Sequence, residues 1–322
     1  MDDPTDPTTL RDKTAWLYYV DRLNQQEIAD RLHISRTRVW RLLQEALRLG
    51  IVEIRVDEAV SQHMRLVREL EDQFGLREAI VVPGSGDDLT DRKAIGRAAA
   101  GYLQRAMPDP YVLGMGVGLS VSEIAGYIQP SHHHAEGLII GISGGFSYPE
   151  ISSMEVCTRL AERLGARAEH IFAPFIVDTP GARAVLLEDR TISEQIQRAA
   201  GCDLMITGVG AFGPENHFAR LGYLDEETLR DLQERGAVGE VMARFFDING
   251  RLLPCPLDER LIGLDMEQIR RIPVSAIMAS GANKATAILG ALRSGYFKVL
   301  ITDDRAAREV LRLNTSNPPA AD

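Results

Sequence analysis

"VSAIMASGANKATAILGALRSGYFKVLITDD", Val274–Asp304, decides how the bulk of this chain is read. VSAIMAS and FKVLIT read as strands, and the segment between them reads as a helix with Lys284 in its first turn. Strands separated by helical segments are the alternation that produces a mostly parallel sheet. The same alternation runs upstream. EAIVV, YVLGMG, GLIIGI and DLMITGVG are strands from Glu78 onward, each separated from the next by helical segments. The expected fold class is α/β, with a Rossmann-like, doubly wound and mostly parallel sheet covered on both faces.

In such a sheet, ligands bind beyond the carboxyl ends of the strands, where backbone amides at helix beginnings are free. Four loops lie at those places. In GMGVGLSVSEIA, Gly114, Gly116 and Gly118 end a strand while Ser120 and Ser122 open a helix, an arrangement suited to a phosphate or a sugar hydroxyl. GISGGFS brings Gly144 and Gly145, TGVGAFGPENHF brings Gly210, and ASGANKATAIL brings Lys284, whose ammonium suits an anion. Plainer readings stand beside these. The glycines of the first loop also let a helix approach a strand closely, Ser122 also serves as a cap, and Lys284 also reads as a solvated lysine.

Ahead of the α/β region stands a smaller helical unit. "NQQEIADRLHISRTRVWRLL", Asn24–Leu43, reads as two short helices joined by a tight turn, capped by Asn24 and Ser35. Ile28, Ala29, Leu32, Ile34, Val39 and Leu42 fall three and four apart and form one shared core with a preceding helix over Thr9–Leu23. That first helix is expected to turn Ala15, Trp16, Tyr19, Val20 and Leu23 inward. His33 occupies the turn position where such units often place glycine. The start of the second helix leaves Ser35, Arg36, Thr37, Arg38, Trp40 and Arg41 as candidate contacts to a DNA groove, although Trp40 equally suits packing against the first helix or another subunit. Gly50 ends the unit, IVEIRV follows as a strand or wing, and a linking helix runs to Gly75. The expected organisation is a disordered stretch over 1–8, a winged-helix-like helix-turn-helix domain over 9–57, a linker helix over 58–77 and an effector domain over 78–322.

Composition narrows the function classes. The net charge of −10 opposes non-specific attraction to nucleic acid, yet Arg31, Arg36, Arg38, Arg41 and Arg48 stand within one short segment against Glu45, a local charge of +4. No apolar run approaches the roughly 20 residues of a membrane helix, and the start MDDPTDPTT is acidic rather than basic and then apolar. Neither membrane insertion nor secretion is expected. Cys157, Cys202 and Cys255 are odd in number and far apart, so neither a disulfide framework nor a zinc site is expected, and a reducing cytoplasm suits them. His132, His133 and His134 are consecutive, which does not converge three ligands on one ion, and they read as an exposed loop. No cofactor and no metal are expected.

The order of helix-turn-helix, glycine-rich loops, RLGYLDEETLRDLQERGAVGEVMARFFDINGR, DERLIGLDMEQIRRIP and ASGANKATAILGALRSGYFKVLITDD resembles the SorC family of bacterial sugar-responsive transcriptional regulators over about Leu17–Leu311. The resemblance implies operator DNA as one partner, a sugar, polyol or sugar-phosphate effector as another, assembly as a dimer or tetramer, and an effector domain similar to sugar-phosphate isomerases. The family's first effector loop falls on Gly116, Val117, Gly118, Leu119, Ser120, Val121 and Ser122, where the family's tryptophan is absent and Ser122 stands for its threonine. Asp247 of RFFDING and Lys284 match positions that the resemblance implies face the ligand, although Asp247 also reads as a strand-ending cap. The alternative is an enzyme of the isomerase or deaminase kind, for which Glu215 and His217 in GPENHF are the closest acid–base candidates.

Overall fold

The computed structural model describes residues 7–130, 136–148 and 151–318, so His132, His133 and His134 lie outside the described residues. The chain divides into two compact units, Met1–Ser61 and Gln62–Asp322.

The first unit is built from α1 (Pro7–Tyr19), α2 (Gln25–Leu32) and α3 (Arg36–Arg48). Pro7 and Thr8, expected to be disordered, are the opening residues of α1. Leu17, Ile28, Ala29, Val39 and Leu43 form the small core, with Tyr18, Tyr19, Leu23, Leu32 and Ile34 packed around it. Two residues expected inside are outside: Trp16 is 60% and Val20 54% exposed. The buried stripe of α1 runs through Thr14, Ala15 and Leu17, and Trp16 and Val20 stand one turn apart on the other side. After α3, Gly50 takes the left-handed conformation (φ 71°) while Ile51 N donates to Ala46 O, closing the helix. The expected wing is not a strand. Ile51, Ile54 and Val56 are exposed, and among the described residues this segment has no strand to pair with.

The second unit opens with the later part of α4 (Glu58–Phe74), whose Leu66 and Leu70 are buried, and which ends at Gly75 (φ 63°). Its strands are β1 (Glu78–Val82), β2 (Val112–Met115), β3 (Leu138–Gly145), β4 (Ser147–Tyr148), β5 (Ile151–Ser152), β6 (Arg167–Pro174), β7 (Leu204–Gly208), β8 (Gly210–Ala211), β9 (Ala237–Val241), β10 (Arg244–Asp247), β11 (Val274–Met278) and β12 (Val299–Asp303). Seven form one sheet in the order β1-β12-β11-β7-β2-β3-β6, with every neighbouring pair parallel. The chain winds outward from β2 through β3 to β6, then returns to β7 beside β2 and winds the other way through β11 and β12. The doubly wound parallel sheet is therefore present, and its direction reverses between β2 and β7. Alternate residues feed two cores: Ile140, Ile142, Ile277 and Leu300 join one, and Ile139, Met278, Val299 and Ile301 join the other. A small antiparallel sheet, β10-β9-β8, grows from the loop after β7. The helix α5 (Asp88–Ala106) follows β1 and packs against α6 (Leu119–Ser122).

Candidate DNA-reading helix and effector cavity

Local chemistry fixes the two-helix unit. Asn24 Oδ1 accepts from the backbone N of Gln26 (2.9 Å) and Glu27 (3.0 Å), and the Glu27 carboxylate accepts from Asn24 N (2.7 Å), a reciprocal cap that starts α2. His33 ends α2 in the left-handed conformation (φ 53°, ψ 44°), which makes the turn sharp. Ser35 Oγ then accepts from Arg38 N (3.2 Å) and starts α3. Val39, Leu42, Leu43 and Ala46 bury one face of α3, which leaves Arg36, Thr37, Arg38, Trp40 and Arg41 exposed together with Ser35 before them. Among the described residues none of Arg36, Arg38 and Arg41 makes an ion pair within 4 Å. Trp40 is 52% exposed, so within this chain it does not pack into the core. An exposed helix start carrying three unpaired guanidinium groups has the donors needed for phosphate oxygens and base edges.

In the second unit a cavity of about 250 Å³ lies where the sheet changes direction. The loops after β2 and β7 meet there, with Gly116 N donating to Ile206 O and Gly208 N to Val117 O. Gly118, Ser120, Gly210 and Lys284 line the cavity as expected by position, beside Asp88, Arg92, Glu240, Ser280, Asn283 and His217. Phe146, Phe175 and Phe218 supply a clustered aromatic wall, with ring centroids 5.6–6.2 Å apart.

Two charged groups dominate its electrostatics. Glu240 stands on β9 with its carboxylate accepting from Ala243 N (2.9 Å), and burial pushes its carboxyl above the ordinary value, against the opposing pull of Lys284. Burial likewise holds the Lys284 ammonium below its ordinary value; Glu240 and Asp88 oppose that shift and Arg92 adds to it. The two line one cavity, and among the described residues they make no ion pair within 4 Å. A Cβ on Gly210 would lie 1.8 Å from Glu240 Oε1, so a larger residue there displaces the buried carboxylate. The loop bearing Asn283 and Lys284 is held by Asp303, whose buried carboxylate accepts from the backbone N of Gly281, Arg305 and Ala306; Gly281 takes φ 92° to make that turn.

Several residues expected in the site stand elsewhere. Gly116 is a packing glycine, since a Cβ there would lie 2.2 Å from Thr207 Oγ1. Ser122 donates to Leu119 O (2.7 Å) and lines a separate surface cavity, because α6 is a single turn that carries it past the crevice. A Cβ on Gly144 would lie 2.6 Å from the carbonyls of Ala173 and Pro174, and Gly145 lies beside Met154; their neighbour Phe146 is what reaches the cavity. Asp247 Oδ1 accepts from Asn249 N and Arg251 N (both 2.9 Å) and closes the turn after β10, the strand-ending role. Of the acid–base candidates, His217 lines the cavity while Glu215 is exposed outside it. The sequence reading missed Asp88, Arg92, Glu240 and Asn283. Glu240 left a signal, a lone carboxylate inside the apolar run VGEVM.

Among the described residues, no group of three His, Cys, Asp or Glu side chains converges as a metal site, and no helix is long and apolar enough to cross a membrane. Cys157, Cys202 and Cys255 are buried free thiols; burial pushes Cys157 and Cys202 up to about 12, which makes them inert.

Residues 58–312 match a family described as a putative sugar-binding domain, and residues 16–49 match sigma-70, region 4. The deoxyribonucleoside regulator of Bacillus subtilis is 31% identical over 303 residues, 93% of this chain and 96% of that protein. The erythritol catabolism regulatory protein EryD of Brucella abortus is 28% identical, covering 97% of this chain and 98% of its own. Among solved structures, the full-length sorbitol operon regulator SorC from Klebsiella pneumoniae superposes with a TM-score of 0.73 at 26% identity, over 95% of this chain and 99% of that one. The chain belongs to this sugar-binding-domain family, as a SorC-type DNA-binding transcriptional regulator and not an enzyme.

Proposed function

We propose that the protein binds operator DNA through α3 and that a sugar, polyol or sugar phosphate in the cavity of the second unit controls that binding. Arg36, Arg38 and Arg41 contact phosphates or guanine edges, Ser35 and Thr37 add short polar contacts, and Trp40 lies against the duplex. Gly118, Ser120, Gly210 and Lys284, with Glu240 and Asn283, hold the effector. The observation that carries the reading is the cavity itself: an aromatic wall facing hydroxyl, carboxylate and ammonium groups is the usual composition of a site for a polyhydroxylated ligand. The proposed domains are a DNA-binding domain that begins with α1 at Pro7 and runs to 57, a linking segment over 58–77 whose helix ends at Phe74, and an effector domain over 78–322, and the proposed compartment is the cytoplasm.

Control requires two copies. A dimer or tetramer places paired recognition helices about one DNA turn or its multiples apart, and an effector that alters the angle between subunits takes one helix out of its groove. Coupling of about 1–3 kcal/mol changes DNA occupancy by roughly 5- to 150-fold. The test is thermal melting of the purified chain against sugars, polyols and their phosphates, with erythritol, sorbitol and deoxyribose compounds included because relatives are named for such metabolism. A selective rise in midpoint that disappears in Lys284→Met supports the reading. No rise with any compound refutes it.

A further inference from the structure

The segment between α3 and α4, VEIRV over residues 52–56, alternates apolar and charged side chains as a strand does, yet among the described residues of its own chain no strand pairs with it. Ile54 and Val56 are 65% and 58% exposed, and residues 53–56 make no backbone–backbone hydrogen bond among the described residues. The segment is bounded on both sides. Gly50 closes α3, and Asp57 starts α4 with Oδ1 accepting from Ala59 N (2.9 Å) and Val60 N (3.3 Å). Arg55 reaches Glu53 Oε2 at 3.1 Å, so the two charges stand on one side of the segment, as strand spacing requires. The residue order is self-complementary. When two copies run antiparallel about a two-fold axis at Ile54, Ile54 faces Ile54 and Val52 faces Val56 on one side, while Glu53 faces Arg55 on the other. Moving the axis to Glu53 or Arg55 sets like charges directly opposite each other, so charge selects the register.

We propose that residues 52–56 are the surface through which the first units of two copies of this chain pair, as an antiparallel two-stranded ribbon with its two-fold axis at Ile54. The inference rests on the reading of the chain as a regulator that works through paired recognition helices, and it names the surface that pairs them. The ribbon gives both segments the backbone hydrogen bonds that neither has alone, and it brings Val52, Ile54 and Val56 of the two copies together. A lone two-stranded ribbon is marginal in water, and Leu49, Ile51 and Val60, exposed at its two ends, extend the apolar surface that steadies it. Laid against DNA instead, the segment would set Glu53 and exposed apolar side chains beside phosphates, whereas pairing uses every side chain in it. Reach agrees with the operator geometry. The chain from Arg48, where α3 ends, to Ile54 spans at most about 20 Å, so the two α3 helices end within about 40 Å of each other, a reach that includes the roughly 34–36 Å between half-sites one DNA turn apart.

The experiment reads oxidative cross-linking of the full chain, whose own cysteines are buried. Ile54→Cys forms a disulfide-linked dimer at least about tenfold faster than Val185→Cys, an exposed position on the second unit, at the same concentration. Val52→Cys and Val56→Cys each cross-link slowly alone and rapidly when mixed, because the register sets them opposite one another and not opposite themselves. Charge supplies an independent readout. In the Ile54→Cys background, Glu53→Arg and Arg55→Glu each slow cross-linking by about tenfold, and an equimolar mixture of the two recovers it, since only the mixed pair places opposite charges across the strands. Ile54→Cys no faster than Val185→Cys, or Val52→Cys and Val56→Cys as fast apart as together, or no recovery on mixing the charge variants, overturns the ribbon; DNA binding by the wild type then leaves the regulator reading standing. A wild-type chain that captures no duplex from genomic DNA overturns that reading, whatever the cross-links show.

Discussion

Arg36, Arg38 and Arg41 stand exposed on α3 with no acidic partner among the described residues, whereas Arg92, Lys284 and Glu240 line a cavity in which burial shifts Lys284 and Glu240 away from their ordinary proton affinities. The same side-chain chemistry does different work in the two places. On α3 the charges are fully hydrated and available, which suits long-range attraction to phosphates and a salt-dependent grip. In the cavity they have lost water, so each is held ready for a ligand that returns the missing interactions. A charge count describes neither region: the chain is acidic overall and carries both an anion-seeking surface and a cavity of mixed charge.

The largest expected effect comes from unfolding the first unit alone. Ile28 is fully buried in a core of few residues, and Ile28→Ala costs about 2–5 kcal/mol, enough to unfold that unit. DNA binding is then lost while the effector-induced rise in the melting of the second unit persists; loss of both responses contradicts separate roles. Next in size, Arg36→Ala and Arg41→Ala each weaken operator binding by roughly 5- to 150-fold, as expected for about 1–3 kcal/mol per lost base contact, with the effector response intact. Anisotropy titrations at two salt concentrations read this directly. Gly210→Ala sharpens the other side: its Cβ displaces the Glu240 carboxylate and lowers effector affinity by about tenfold, leaving the affinity of the free protein for DNA unchanged.

A fourth effect depends on pH. Glu240 is raised by burial, so the folded chain keeps a proton that the unfolded chain releases above about 4.5, and stability from this group falls as pH rises from there through the raised value. Lys284 is lowered, so its cost grows as pH falls below 10.5 toward the lowered value. Glu240→Gln removes the first dependence; its melting midpoint gains on the wild type as pH increases from 4.5, while effector binding declines. The smallest effect belongs to His33. Its left-handed backbone favours glycine, and His33→Gly stabilises the first unit by about 0.5 kcal/mol after the added freedom of the unfolded chain is subtracted.

Periodicity made the parallel sheet and the helix-turn-helix legible. Strands such as β11 and β12 are buried on both faces and therefore read as continuous apolar runs, and the caps Asn24 and Ser35 sit where their side chains have a local backbone task. What escaped was set by contacts distant in sequence. β6 mixes exposed and half-buried residues, and β8–β10 pair across a long excursion, so neither carries a clean pattern. Trp16 looks like a core aromatic in isolation, and only the direction of its stripe turns it outward. Within the cavity, glycines at strand ends looked alike in sequence: Gly118 and Gly210 line the wall, while Gly116 and Gly144 serve packing. Arg92 lies on an ordinary polar helix start, and the fold alone brings it beside Lys284.

The most direct measurement is DNA affinity with and without effector, on one protein. Genomic duplexes captured by the wild-type chain are titrated by anisotropy in the absence and presence of the compound that raises its melting midpoint most. The expected change in affinity is at least about fivefold, absent in Lys284→Met although that variant binds the free DNA normally. An affinity unchanged by a compound that demonstrably occupies the cavity would mean that the two sites are not coupled and that the cavity does not control DNA binding.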